Sequence, residues 1–305
     1  MNVSDSSTAG ISAIPRSTIR SWIKLLRPIQ WSKNAILFAG AVFGAVIDQP
    51  DQFFKALMGF IVFCLISSAT YIFNDWQDAE ADRLHPTKRF RPIASGAISA
   101  RNALTVAVVL VAIGLTMSAI VGWWFLLVAA TYLAVMVAYT LELKSVVILD
   151  VFIIAGGFVL RAVGGAVAVS LPISPWLLFC TMLLALFLGF CKRRNELSVL
   201  SEESRAYRKT LEGYTLPMLD QAIAVTAAST IMAYSIYTFN ATQVPTNDIM
   251  MITIPFVAFA MFRYLFLVYA KNLGGSPESL LLRDKPLLLS ILGWGISVVL
   301  VSLLR

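Results

Sequence analysis

Apolar runs long enough to cross a bilayer as helices, about 17–25 residues each, recur along this chain from Trp31 to Leu304. Nine candidate spans can be drawn: roughly Trp31–Ile47, Phe54–Phe73, Ala103–Val121, Trp123–Leu141, Val147–Val169, Trp176–Phe190, Leu219–Phe239, Ile249–Val268 and Leu287–Leu304. Only 13% of the 305 residues are charged, against about 25% in soluble domains, which argues against a water-soluble globule. The expected fold is therefore an all-α polytopic membrane protein with about nine transmembrane helices. The Ser-rich start has no apolar core of the kind a signal peptide carries. Residues 1–20 are expected to form a disordered polar lead-in, and 21–305 a single transmembrane domain.

The net charge of +7 is distributed in a way that argues against a nucleic-acid partner. Arg16, Arg20, Lys24, Arg27 and Lys33 precede the first span. Arg83, Lys88, Arg89, Arg91 and Arg101 follow the second, Lys144 the fourth, and Lys192, Arg193, Arg194, Arg205, Arg208 and Lys209 the sixth. Lys271, Arg283 and Lys285 follow the eighth, whereas the opposite loops hold little beyond Lys55 and Arg305. Alternate basic loops are the positive-inside pattern. With nine spans, the pattern places the N-terminus in the cytoplasm and the C-terminus outside. Cys64, Cys180 and Cys191 lie in or beside apolar helices without a CxxC pair, and read as small buried hydrophobes.

One stretch departs from this plan. After the second span comes "NDWQDAEADRLHPTKRFRP", Asn74 to Pro92. On a helix, Asn74, Asp75, Asp78 and Asp82 project at about 0°, 100°, 40° and 80°, a single sector; Glu80 projects to the far side. Carboxylates on one face repel one another, and a multivalent cation removes that repulsion. Mg²⁺ suits the spacing, because it binds one or two carboxylates and takes waters and phosphate oxygens as its other ligands. The alternative is an interfacial helix end whose acids are held by Arg83 or Lys88. Pro86 and Pro92 interrupt the helix, so the basic run is expected to fold over the acids. His85, the only histidine, reads as a loop hydrogen-bonder.

"YTLELKSVVILDVFIIAGGFVLRAVGG" follows the fourth span and brings Tyr139, Lys144 and Asp150 to a helix end. Asp150 and Arg161 are eleven residues apart, which returns to within about 20° on a helix. A charge inside a span is costly, so Arg161, and Arg263 in the eighth span, should face a cavity or a partner; pinning neighbouring helices is the alternative for Arg161. The segment Cys191–Tyr214, with Lys192, Arg193 and Glu196, either caps a site or is solvated. In "RPIQWSKN", Arg27 and Lys33 could reach an anionic head group, and Trp22 and Trp31 could anchor at the interface.

"NDWQDAEADR" after an apolar helix, followed by "RPIASGAIS", resembles the first acidic motif of the UbiA superfamily of intramembrane prenyltransferases, and the likeness runs from "LLRPIQWSKN" to the last helix. The resemblance implies a nine-helix bundle in which the motif acids, here Asp75, Asp78 and Asp82, bind Mg²⁺ and a substrate diphosphate. "HPTKRFRP", "AYTLELKSVVILDVFIIAGGFVLRAVGG" and "KRRNEL" are similar to the branch that moves 5-phosphoribose from phosphoribosyl diphosphate to a polyprenyl phosphate. That branch implies an enzyme of the cytoplasmic membrane, its site facing the cytoplasm, supplying pentose for a cell envelope; the chain is also a candidate homo-oligomer. Asp150 lacks an acid four residues on, where Ile154 stands, so a paired second metal site is not expected. The substrate-binding residues are expected to be Arg27, Lys33, Arg83, Lys88, Arg89, Arg91, Tyr139, Lys144, Asp150, Arg161 and Lys192, with Asn74 beside the metal. A conventional prenyltransferase with an aromatic acceptor, and a cation-dependent transporter or lipid-binding protein, are the competing readings.

Overall fold

In hydrocarbon no water is at hand for backbone N–H and C=O groups, so each apolar run must satisfy its own as a helix. The computed structural model, which describes residues 18–44, 46, 48–199, 209–240 and 249–303, is helical throughout and has no strand among the described residues. The chain runs through α1 (Ile19–Leu26), α2 (Phe38–Phe43), α3 (Pro50–Gln77), α4 (Ala79–Leu84), α5 (Ala100–Val121), α6 (Trp123–Leu141) and α7 (Leu149–Ala168). It continues through α8 (Pro175–Val199), α9 (Lys209–Glu212), α10 (Leu216–Asn240), α11 (Ile254–Lys271), α12 (Pro277–Arg283) and α13 (Lys285–Leu303).

Local chemistry sets several of these ends. Pro50 and Pro277 open their helices where a missing N–H costs nothing. The Ser99 hydroxyl accepts the Asn102 N–H to cap α5. Gly122, at φ 153°, makes the break between α5 and α6 that a residue with a Cβ would resist.

Seven helices among the described residues are long and apolar enough to cross a membrane, and Lys285–Val301 is a shorter apolar one. The first candidate, Trp31–Ile47, is not a continuous α-helix. Pro28–Leu37 forms 3₁₀ turns before α2 begins. At three residues per turn, Trp31, Asn34 and Leu37 line up on one face, and that face meets α3. Trp31 Nε1 donates to Ser68 Oγ at 3.0 Å, and the Asn34 amide donates to Cys64 Sγ and Ser67 Oγ. Leu37 is fully buried with Val62, Phe63 and Ile66. A 3₁₀ stripe thus does what an amphipathic α-helix does elsewhere. The lead-in expected for residues 1–20 lies outside the described residues up to residue 17.

α3 packs along α5, and α8 lies between α7 and α10. One core joins Val151, Phe187, Leu219, Ile223, Tyr264 and Leu267; another gathers Leu37, Val62, Phe63, Phe125 and Tyr132. The 3₁₀ segment presses against α7 so closely that a Cβ at Gly165 would collide with the Leu37 carbonyl, whereas one at Gly156 would meet nothing within 4 Å.

This contrast makes a controlled test. Gly165→Ala should lower the thermal midpoint in detergent, at a cost of about 1–3 kcal/mol for an overpacked site. Gly156→Ala on the same helix should leave the midpoint unchanged or slightly raised.

Candidate functional site

α3 ends at Gln77, and α4 begins after Asp78, whose backbone stays near helical at φ −88°, ψ 0°. This near-continuous turn carries Asn74, Asp75, Asp78 and Asp82 along the mouth of the bundle. After it, the basic run turns back over the acids. Arg91 Nη1 donates to Asp75 Oδ1 at 3.0 Å and to Asp82 Oδ2 at 2.6 Å. Arg27, set in the left-handed region at φ 53° just before Pro28, reaches Asp75 Oδ1 at 2.5 Å. Lys144, from the loop after α6, meets Asp78 Oδ1 at 2.5 Å, and the Asn74 amide donates to Asp78 Oδ2 at 3.0 Å.

These groups open into a cavity of about 1340 Å³. Arg27, Lys33, Asn74, Asp78, Asp82, Lys88, Arg91, Tyr139, Lys144, Arg161 and Lys192 all line it. Its deeper wall is aromatic and aliphatic, with Phe43, Phe158, Leu184, Phe256, Tyr264 and Trp294.

Four expected site residues lie elsewhere. Asp75 is only 2% exposed and stands behind the wall, locked by Arg27 and Arg91. Arg83 points to a separate small pocket beside Trp76 and donates to the Ala94 carbonyl. Arg89 is exposed, with its guanidinium over the Phe90 ring. Asp150 is fully buried and spent on Arg193, at 2.6 Å, and on the Tyr214 hydroxyl, also at 2.6 Å. It therefore does not pair with Arg161 despite their shared stripe. Arg263 does not face the cavity either; it makes a two-point pair with Asp284 at 3.1 and 2.8 Å.

Sequence reading gave Arg193 only a weak place and missed Tyr214 and Tyr132. Arg193 lines the cavity while held between Asp150 and Glu196. Tyr214 accepts the Ile148 N–H at 2.7 Å, steadying a β-branched residue at φ 70°. Thr210 donates to the Lys144 carbonyl at 2.5 Å. The intervening residues 200–208, including Arg205 and Arg208, lie outside the described residues. Neither tyrosine carries a sequence signal, since both act through contacts far along the chain.

Oxygen donors facing the cavity, Asp78, Asp82 and Asn74, suit a hard cation that needs only one or two carboxylates. They do not form a finished cage: among the described residues no three His, Cys, Asp or Glu side chains gather as a metal-ligand group. The reason is visible in the pairing, because Arg27, Arg91 and Lys144 hold the carboxylates. Burial pushes the Asp82 carboxyl above its usual range even though Arg91 pulls the other way.

Residues 35–283 match the UbiA prenyltransferase family. The decaprenyl-phosphate phosphoribosyltransferase of Mycobacterium tuberculosis is 36% identical over 289 residues, covering 92% of this chain and 93% of its own. The enzyme of the same name from Mycolicibacterium smegmatis is 34% identical over 299 residues, covering 92% of each. A solved UbiA homolog from Archaeoglobus fulgidus, bound to GPP and Mg²⁺, shares the fold with a TM-score of 0.71 at 19% identity. It covers 92% of this chain and 99% of its own.

The loop over the acids has a measurable pH response. His85 Nδ1 accepts the N–H groups of Thr87 and Lys88 at 3.2 and 3.3 Å, which requires it unprotonated. Burial, and then Lys88, hold the imidazole below its ordinary range. The unfolded chain therefore takes up the proton first, and this contribution to loop order is complete above the usual histidine pKa and fades as the pH falls below it. Amide exchange at Thr87 and Lys88, corrected for intrinsic rate, should quicken between about pH 7.5 and about pH 5.5; His85→Gln should flatten that dependence.

Proposed function

This chain belongs to the UbiA prenyltransferase family, and we propose that within it the protein transfers 5-phosphoribose from phosphoribosyl diphosphate to a polyprenyl phosphate, releasing diphosphate. The observation that carries the reading is the cavity, in which a mouth crowded with cations leads into an apolar interior. A polyprenyl phosphate has that same division, with charge at one end and hydrocarbon along the rest. The relatives named for this activity match nearly the whole chain, which supports the choice of donor.

The donor carries a diphosphate and a 5-phosphate, and Arg27, Lys33, Lys88, Arg91, Lys144 and Lys192 supply cations for them. Arg91 and Lys144 neutralise Asp82 and Asp78; with substrate bound, they can turn to phosphate oxygens. Asp78 and Asp82, with Asn74 beside them, would hold Mg²⁺, and Asp75 would orient Arg27 and Arg91 from behind. Bound there, the ion supplies Lewis-acid neutralisation of a departing diphosphate.

In the reaction the bond from ribose C1 to the diphosphate oxygen breaks, and one from C1 to a polyprenyl phosphate oxygen forms. Positive charge develops at C1 as in glycosyl transfer. The nucleophile is already anionic, so no general base is required, which fits a site with one histidine engaged in holding a loop. Attack from the face opposite the leaving group inverts C1. The protein is an integral multi-pass membrane protein, and the basic loops support a site open to the cytoplasm of the inner membrane.

Purified protein given radiolabelled phosphoribosyl diphosphate, Mg²⁺ and a polyprenyl phosphate should move label into the organic phase. Turnover of a prenyl diphosphate with an aromatic acceptor, and no labelled lipid, would establish the conventional prenyltransferase reaction instead. Asp78→Asn should lower kcat by about 10²-fold or more, the scale seen when one preorganised charge-stabilising group is lost, with the melting temperature retained. Undiminished turnover in that variant would remove Asp78 from the metal site.

A further inference from the structure

Cations along the cavity differ in what answers their charge. Arg27, Arg91, Lys144 and Arg193 each meet a carboxylate. Arg161 does not. Its Nε donates to the Asn34 carbonyl oxygen at 2.7 Å, Nη2 to the Tyr132 hydroxyl at 2.7 Å and Nη1 to the Gly157 carbonyl at 2.9 Å. All three partners are neutral, and among the described residues no carboxylate pairs with it. The guanidinium also lies over the Tyr132 and Phe158 rings. It is 5% exposed yet lines the cavity.

Its depth can be read from α3. Asn34, which holds Arg161, bonds Cys64 and Ser67, eleven and eight residues before Asp75 on the same helix. At 1.5 Å per residue that is roughly 12–16 Å below the acids. A full positive charge this far into a membrane-spanning helix is costly without an answering charge. Its geometry is fixed before any ligand arrives, because three hydrogen bonds and two rings set the guanidinium plane. Planar, preset guanidinium donors suit phosphate oxygens.

We infer that Arg161 is a built anion site for the phosphate of the lipid acceptor, separate from the cations that hold the donor at the mouth. The inference rests on the proposed reaction only for the identity of the lipid. Hydrocarbon lies against the apolar wall, and the lipid phosphate sits between Arg161 and the mouth, where it faces the donor sugar. Arg161 holds the nucleophile's charge in place, and Asn34 and Tyr132 are positioning residues that act through it.

Direct binding tests this without the donor. Wild-type protein in detergent should bind a polyprenyl phosphate at least tenfold more tightly than the matching polyprenol. Arg161→Gln should bring the two to equal affinity while leaving polyprenol and phosphoribosyl diphosphate binding unchanged, and Arg161→Lys should restore part of the preference. Met136→Glu, which sets a carboxylate on the facing helix where Met136 approaches Gly157, keeps Arg161 but answers its charge, and should also abolish the preference. If Arg161→Gln or Met136→Glu keeps the preference for phosphate, the site is refuted. Equal weakening of all three ligands would show that Arg161 only ties helices together. A wild-type protein that shows the Arg161-dependent preference but transfers no phosphoribose would retain the anion site and lose the proposed reaction.

Discussion

A charge carried into hydrocarbon must be answered by another charge or by well-placed dipoles, and the whole molecule is arranged around that requirement. At the mouth, Asp75, Asp78 and Asp82 are matched by Arg27, Lys144 and Arg91. Deeper in, Asp150 and Arg193 answer each other with both side chains almost wholly buried. Toward the far end of the chain, Arg263 takes Asp284. Removing one member of the buried Asp150–Arg193 pair leaves the other stranded, which costs more than the pair contributes. The pairs at the half-exposed mouth tolerate such a loss better.

The same pairs keep the charges of the site answered and in place. Cations that can bind phosphate are parked on carboxylates that can bind metal, so neither set is exposed uncompensated. On the proposed reading, Asp78 and Asp82 would hold the ion while Lys144 and Arg91 would turn to phosphate oxygens, so both halves of each pair would be answered together. Little new desolvation is then required, because the groups already sit in a cavity walled by apolar side chains. Preorganisation of this kind is where electrostatic stabilisation gains most.

Much of this was legible in the chain. Length and hydropathy marked the spanning helices, because a bilayer imposes one length on all of them. The angular projection of Asn74 to Asp82 held because α3 and α4 run on almost without a break. The 3₁₀ stripe of Trp31, Asn34 and Leu37 escaped notice, since its period of three mimics an apolar run. Partners were harder still. Asp75 falls in the same helical sector as Asp78, yet Arg27, 48 residues earlier, takes it out of the cavity. Asp150 and Arg161 share a stripe, but Tyr214 and Asn34, each distant in sequence, draw them to different neighbours. Charge inside a span announced a partner in every case; only packing told which one.

The loop that presents Lys144 owes its place to residues far downstream. Thr210 grips the Lys144 carbonyl, and Tyr214 receives the Ile148 N–H, each 66 positions later in the chain. A ribosome feeding this protein into a membrane releases the acids of α3 and α4 first and the clasp only after α8 has emerged. Until then, Asp78 lies at the edge of an unfinished bundle without a fixed counter-charge. Fixing the Lys144 loop thus waits on residues that emerge after α8, and a chain that stalls before residue 214 lacks the Tyr214 half of the clasp.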